Sequence, residues 1–168
     1  MATFKGNVKV IVDSLLSSSL DIGTGRHAVL YEDDTAFTNG TGANQANEMF
    51  TDQRTIAASS NEELDLAGSL TNAFGDTITF TSVKAIIVKA AAGNTNDVQV
   101  GGAASNGFAS FLGDASDIVV LKPGSVFCIT NPNATGYAVT ASTGDLLKIA
   151  NSSSGSTVTY DIIIIGEV

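Results

Sequence analysis

The 168 residues predict an all-β chain, an antiparallel β-sandwich or jelly-roll-like barrel with an N-terminal arm. Three observations lead there. Charged side chains make up only 15% of the sequence, replaced by Ser, Thr, Asn and Gly with Ile and Val as bulk, which suits strands and tight turns better than exposed helices. Apolar residues recur at period two in short runs, and turn formers separate the runs at nearly regular intervals, as in sandwiches and barrels. The best helical alternatives, 43–50 and 62–74, are short or broken by glycine.

The first strand is expected at 4–12, where Phe4, Val8, Val10 and Val12 share one side and Lys5, Asn7 and Lys9 the other. Ser17, Ser18, Ser19 and then Asp21-Ile22-Gly23-Thr24-Gly25 break the pattern before a short apolar run at 28–31. From 33 to 52 the chain is polar and glycine-bearing and reads as a long loop, a feature that is usually functional or flexible. Residues 1–50 are therefore assigned to an arm with a polar connecting loop, and residues 51–168 to a β-sandwich domain.

Within that domain strands are expected at 55–58, 63–66, 77–80, 83–90, 98–100, 118–121, 126–130, 137–140, 146–150 and 158–165. Turns fall between them at Gly93-Asn94-Thr95-Asn96, Gly101-Gly102, Pro123-Gly124, Asn131-Pro132-Asn133, Thr143-Gly144-Asp145 and Ser152-Ser153-Ser154-Gly155. In the last strand Val158, Tyr160, Ile162 and Ile164 occupy one face, and Thr159, Asp161, Ile163 and Ile165 the other. Its end is apolar on both faces and needs cover on both, as a central sandwich strand or against another subunit.

A chain of this length buries roughly 70% of the surface its unfolded form exposes, enough for a core without staples. Cys128, the single cysteine, has no intrachain partner; set among Val126, Phe127 and Ile129, it is expected to be a buried, inert thiol. Lys5, Lys9, Asp13 and the serine cluster interrupt the first apolar run, so neither a signal peptide nor a membrane span is expected, and the chain reads as soluble and made in a cytoplasm. With a net charge of −9 and no basic run, phosphate backbones and anionic lipid would repel it, so neither nucleic acid nor membrane is an expected partner. A surface so poor in charge fits a chain covered by its neighbours, with a plain acidic monomer as the alternative.

No residue set carries a catalytic signature, and no cofactor or metal is expected. His27, the single histidine, sits beside Arg26 with no nucleophile elbow in the sequence, and reads as an exposed or loop residue. One His and one Cys cannot supply the soft ligands of a zinc site. The carboxylate groups Asp33-Asp34, Glu62-Glu63-Asp65 and Asp114 with Asp117 lack the aromatic platforms of a sugar-cleaving cleft, there being no Trp and only three Tyr. The loops 93–97 and 113–117 are oxygen-rich, but Asx-turns account for both without calcium. Gly23-Thr24-Gly25 and Asn39-Gly40-Thr41-Gly42 match neither phosphate-binding fingerprint and read as turns. The sequons at Asn39, Asn133 and Asn151 are by-products of composition.

Several blocks carry a family resemblance: the polar stretch 38–47, Asp52-Gln53-Arg54-Thr55-Ile56-Ala57-Ala58-Ser59, Leu64-Asp65-Leu66-Ala67-Gly68-Ser69-Leu70, Val98-Gln99-Val100-Gly101-Gly102-Ala103-Ala104, Lys122-Pro123-Gly124 and Ala138-Val139-Thr140. From about residue 38 onward the chain resembles small tailed-bacteriophage virion structural proteins. The resemblance implies a capsid decoration or cement protein on the virion surface, made in the host cytoplasm, that stabilises the head by binding the major capsid protein and copies of itself as a homotrimer or dimer. It transfers no active-site residues. A tail or fibre component is the near alternative. A carbohydrate- or host-surface-binding sandwich is a third and would need exposed aromatics, for which Tyr31, Tyr137, Phe108 and Phe111 are the candidates, although a core role is expected for them.

Overall fold

The computed structural model describes residues 3–168; residues 1 and 2 of the expected arm lie outside that range. Three strands come first, β1 (Lys5–Ser19), β2 (Thr24–Asn39) and β3 (Gln45–Ala46). The body follows with β4 (Glu48–Ile56), β5 (Asn61–Asp65), β6 (Ser82–Ala90), β7 (Val98–Gly101), β8 (Ile118–Leu121), β9 (Val126–Thr130), β10 (Tyr137–Ala138), β11 (Leu146–Asn151) and β12 (Val158–Glu167). No helix occurs among the described residues, so the all-β prediction holds.

The body is two sheets. In the first, β12 lies between β4 and β6, and β9 and the short β10 pair with the other edge of β6. The second has the order β5-β11-β7-β8. Every pairing between the strands of the body is antiparallel. Setting β10 aside, the orders β4-β12-β6-β9 and β5-β11-β7-β8 are those of a double-sheet jelly roll, with the chain crossing between sheets at β4–β5, β5–β6, β6–β7, β8–β9, β9–β11 and β11–β12. The two sheets remain separate ladders, so the fold is an open sandwich and not a closed barrel.

Alternation explains the core. Ile86, Val88, Ile162 and Ile164 of the first sheet face Val98, Val100, Leu147 and Ile149 of the second, and all are fully or almost fully buried. β12 is central, as its two-faced apolar end predicts. On its outer face Ile165 is buried by the chain's own β1–β2 base, while Ile163 is left 37% exposed.

Three stretches depart from the sequence reading. Residues 77–80 form no strand: Ile78 and Phe80 are buried, but their amides donate to the carbonyls of Leu70 and Leu66, so they plug the end of the sandwich as irregular chain. The strand expected at 137–140 shrinks to Tyr137–Ala138. The supposed loop at 33–52 is mostly strand, β2 running to Asn39 and β4 starting at Glu48, with the bend confined to residues 40–44. Polar residues populate β2 because a ribbon in solvent imposes no apolar alternation on its sequence, and β4 because it is the edge strand of its sheet with one face in solvent.

Lys84 is wholly buried at the start of β6. Its ammonium lies 2.9 Å from Glu167 Oε1 and donates to the carbonyls of Asn133 and Ala134 at 2.5 and 2.8 Å. The Ser82 hydroxyl donates to Glu167 Oε2 at 3.1 Å. Gly136 lets the loop close over this pair, since its φ is +55° and a Cβ there would stand 2.8 Å from the Val83 carbonyl oxygen.

Candidate assembly surface

β1 and β2 form an antiparallel ribbon in register from Lys5↔Thr38 to Ser19↔Thr24. At about 3.4 Å per residue its 15-residue first strand spans about 50 Å. The tip turns through residues 20–23, where Leu20 N donates to Gly23 O and Gly23 adopts φ +88°, a conformation that favours glycine.

Only the base of the ribbon touches the body. Phe37 is buried with Ala46, Ala85 and Ile165, and Phe4 and Val8 pack against them. β3 ties the same region down: Asn47 N donates to Gly166 O, and Val168 N to Asn47 Oδ1. From Lys9 to Ser19 and from Thr24 to Asp34 no residue is buried.

The side chains on this free length are strongly apolar. The register puts Val10, Val12, Leu16, Val29 and Tyr31 on the face that continues Val8 and Phe37, together with His27 and Asp33. Ile11, Leu15 and Leu30 lie on the opposite face among Lys9, Asp13, Arg26, Glu32 and Asp34. Leu16 is 75% exposed and Leu30 70%. A two-stranded hairpin is marginal in water by itself and gains stability by packing on something else. Exposed apolar patches of this kind mark interaction sites.

Beside the ribbon base, a groove of about 610 Å³ runs over the outer face of the first body sheet. Ile87, Ile163 and Ile165 form its floor, Phe4 and Val8 one wall, and Phe74, 81% exposed, stands at its rim.

The residues weighed for chemistry are scattered. His27 lies in β2 opposite Leu16, an exposed strand residue and not a loop one. Cys128 is exposed on β9 opposite Ile87, against the expectation of a buried thiol, because the core takes its neighbours Phe127 and Ile129 instead. Partial burial still pushes the thiol pKa up, so it gains no thiolate character. Asp33 and Asp34 point to opposite faces of the ribbon, and Asp34 is held below the usual carboxylate range by the hydrogen-bonded Lys9 ammonium 3.0 Å away, helped by Asn7. Asp114 Oδ1 accepts from Ser116 N and Oγ, and Asp117 Oδ2 from Asp114 N, as Asx-turns predict. In the other oxygen-rich loop the Asn96 amide donates to Asn151 Oδ1 and to the carbonyls of Ser153 and Ser156. No group of three or more His, Cys, Asp and Glu spaced to hold a metal occurs among the described residues.

Of the β5 carboxylates, Glu62 accepts from Arg54 Nε at 2.6 Å and from the Tyr160 hydroxyl at 3.0 Å, while Arg54 Nη1 donates to Asp52 at 2.8 Å. This chain of charges links β4, β5 and β12 next to a smaller cleft lined by Asp52, Arg54, Ser69 and Asn72. Its members are paired with one another. Burial, with Glu62 beside it, pushes the Tyr160 phenol far above its ordinary value. A phenol raised in the folded state contributes stability that is fully present below the unfolded pKa of about 10 and is lost as pH rises beyond it. Urea unfolding at pH 8 and pH 11 is expected to show that loss, with a flatter slope in Tyr160→Phe and a residual slope from Tyr137, whose phenol burial also raises.

Phe108, Phe111, Phe127 and Tyr137 pack together in the sandwich, with Phe111 as their common neighbour at ring-centroid separations of 5.6, 5.9 and 6.3 Å. The core role expected for Phe108, Phe111 and Tyr137 is what the fold gives them. Tyr31 differs: it is exposed on the ribbon. Sequence reasoning missed the ribbon's distal half and the groove. The apolar residues at 28–31 were visible, but their pairing with 12–15 was not.

No protein-family model and no curated protein matches the chain. One solved structure is similar over 70% of this chain and 87% of its own, at 15% identity and a TM-score of 0.36; it is described as a novel family of disulfide-linked pili forming Bacillus endospore appendages. So loose a superposition carries no weight for function.

Proposed function

We propose that this chain is a non-enzymatic structural subunit whose task is assembly, and specifically a capsid decoration or cement protein of a tailed bacteriophage. The observation that carries the assembly reading is the ribbon: two strands with apolar side chains on both faces and no cover beyond Lys9. The virion reading rests on the sequence blocks from residue 38 onward that resemble small phage structural proteins. In it, the arm binds the major capsid protein or other copies, and the sandwich stays folded outside. A tail or fibre subunit uses the same arm chemistry and is the alternative. The glycan-binding reading is less well supported, because the exposed rings Tyr31 and Phe74 lie on separate elements and form no platform.

The test is co-sedimentation with phage heads lacking the protein. Full-length chain is expected to saturate the heads and to raise the temperature at which they rupture. A variant with residues 10–33 replaced by Asn-Gly keeps the Lys9↔Asp34 pair and the docked base, and is expected to fold but not bind. Undiminished binding by this variant, or none by the full chain, overturns the proposal.

A further inference from the structure

We infer that the groove beside the ribbon base is the seat for the free half of the same ribbon from a second copy of this chain, exchanged reciprocally in a dimer. The inference deepens the assembly reading above and rests on it. The ribbon face that continues Val8 and Phe37 already covers the outer face of the first body sheet within one chain, at Ile165 and Ala85. Val10, Val12 and Leu16 extend that face with the same chemistry but have no floor beneath them. Ile163, 37% exposed, and the half-buried Ile87 are floor left incompletely covered. The unfilled seat and the unseated ribbon therefore match in kind, one continuing where the other stops.

Area points the same way. The free length is about 35 Å long and about 10 Å wide, so one seating buries about 700 Å² counted over both partners. That alone falls short of a specific interface. Reciprocal exchange doubles it to about 1,400 Å², within the range of stable complexes, and gives the isologous contact of a two-fold dimer.

Cys128, exposed opposite Ile87 on the neighbouring strand, supplies a native reporter beside the floor. Light scattering of the full chain is expected to give twice the 17.1 kDa chain mass, falling to one chain in Val12→Asp/Leu16→Asp. In a series of Val10→Cys, Val12→Cys and Val29→Cys, mild oxidation is expected to link two chains in at least one member, and the link is expected to vanish when Cys128→Ser is added. A monomeric native chain overturns the inference, as do links that survive Cys128→Ser, since they join ribbon to ribbon. Head binding separates this from the broader proposal. A monomer that still binds heads through its arm defeats the exchange and leaves the cement reading standing; a cross-linked dimer that ignores heads does the reverse.

Discussion

Lys84→Ala is expected to destabilise the protein by about 3–5 kcal/mol, because it leaves the Glu167 carboxylate buried without its cation. For a chain of this size the loss lowers the melting temperature by roughly 6–20 °C. The two carbonyls of Asn133 and Ala134 lose their donor as well, so the 131–136 loop loosens over the sheet. Lys84→Met combined with Glu167→Leu is expected to recover much of the loss, since apolar side chains of similar volume replace a buried pair with little penalty. Urea unfolding of the two variants decides it. A cost below about 1 kcal/mol for the single change would show that water reaches the pair.

The second large effect separates the body from its arm. Ile164→Ala empties a fully buried position in the central strand and is expected to cost about 2–5 kcal/mol. Leu16→Ser removes an equally apolar side chain from the ribbon and is expected to change folding stability by less than about 0.5 kcal/mol, while weakening self-association. Parallel urea titrations at low concentration, with light scattering at high concentration, measure both. Equal folding costs would mean that the ribbon is docked in solution.

What the sequence disclosed follows burial contrast. β12 was legible because Val158, Tyr160, Ile162 and Ile164 alternate with the polar Thr159 and Asp161 before the pattern turns apolar on both faces. β1 was half legible: Val8, Val10 and Val12 marked a face, but the strand continues through the serines to Ser19, where exposure on both sides removes any period. β2 was hidden for the same reason, and its acidic pair Asp33-Asp34 read as the start of a loop. Cys128 was misplaced because Val126-Phe127-Cys128-Ile129 is apolar on both faces, so nothing local said which would turn inward. The partner of Lys84 lies across the sheet on β12, a pairing that no local pattern encodes. The groove could not be read at all, since it exists only where the ribbon base, the 72–74 loop and two central strands meet.

The position of β12 also sets the order of events during synthesis. β4 emerges early, yet it pairs only with β12, Ile56 with Val158 and Glu48 with Gly166, and β6 needs the same strand on its inner edge. The first body sheet therefore cannot close until about residue 167 has left the ribosome, and such distant pairings make for slow folding. The ribbon pairs neighbouring residues, but its base packs on Ile165, so it too lacks its seat until β12 is made. For that interval the cell holds an apolar, undocked arm on an unfinished domain, so partners or chaperones that meet the nascent chain meet its adhesive end first.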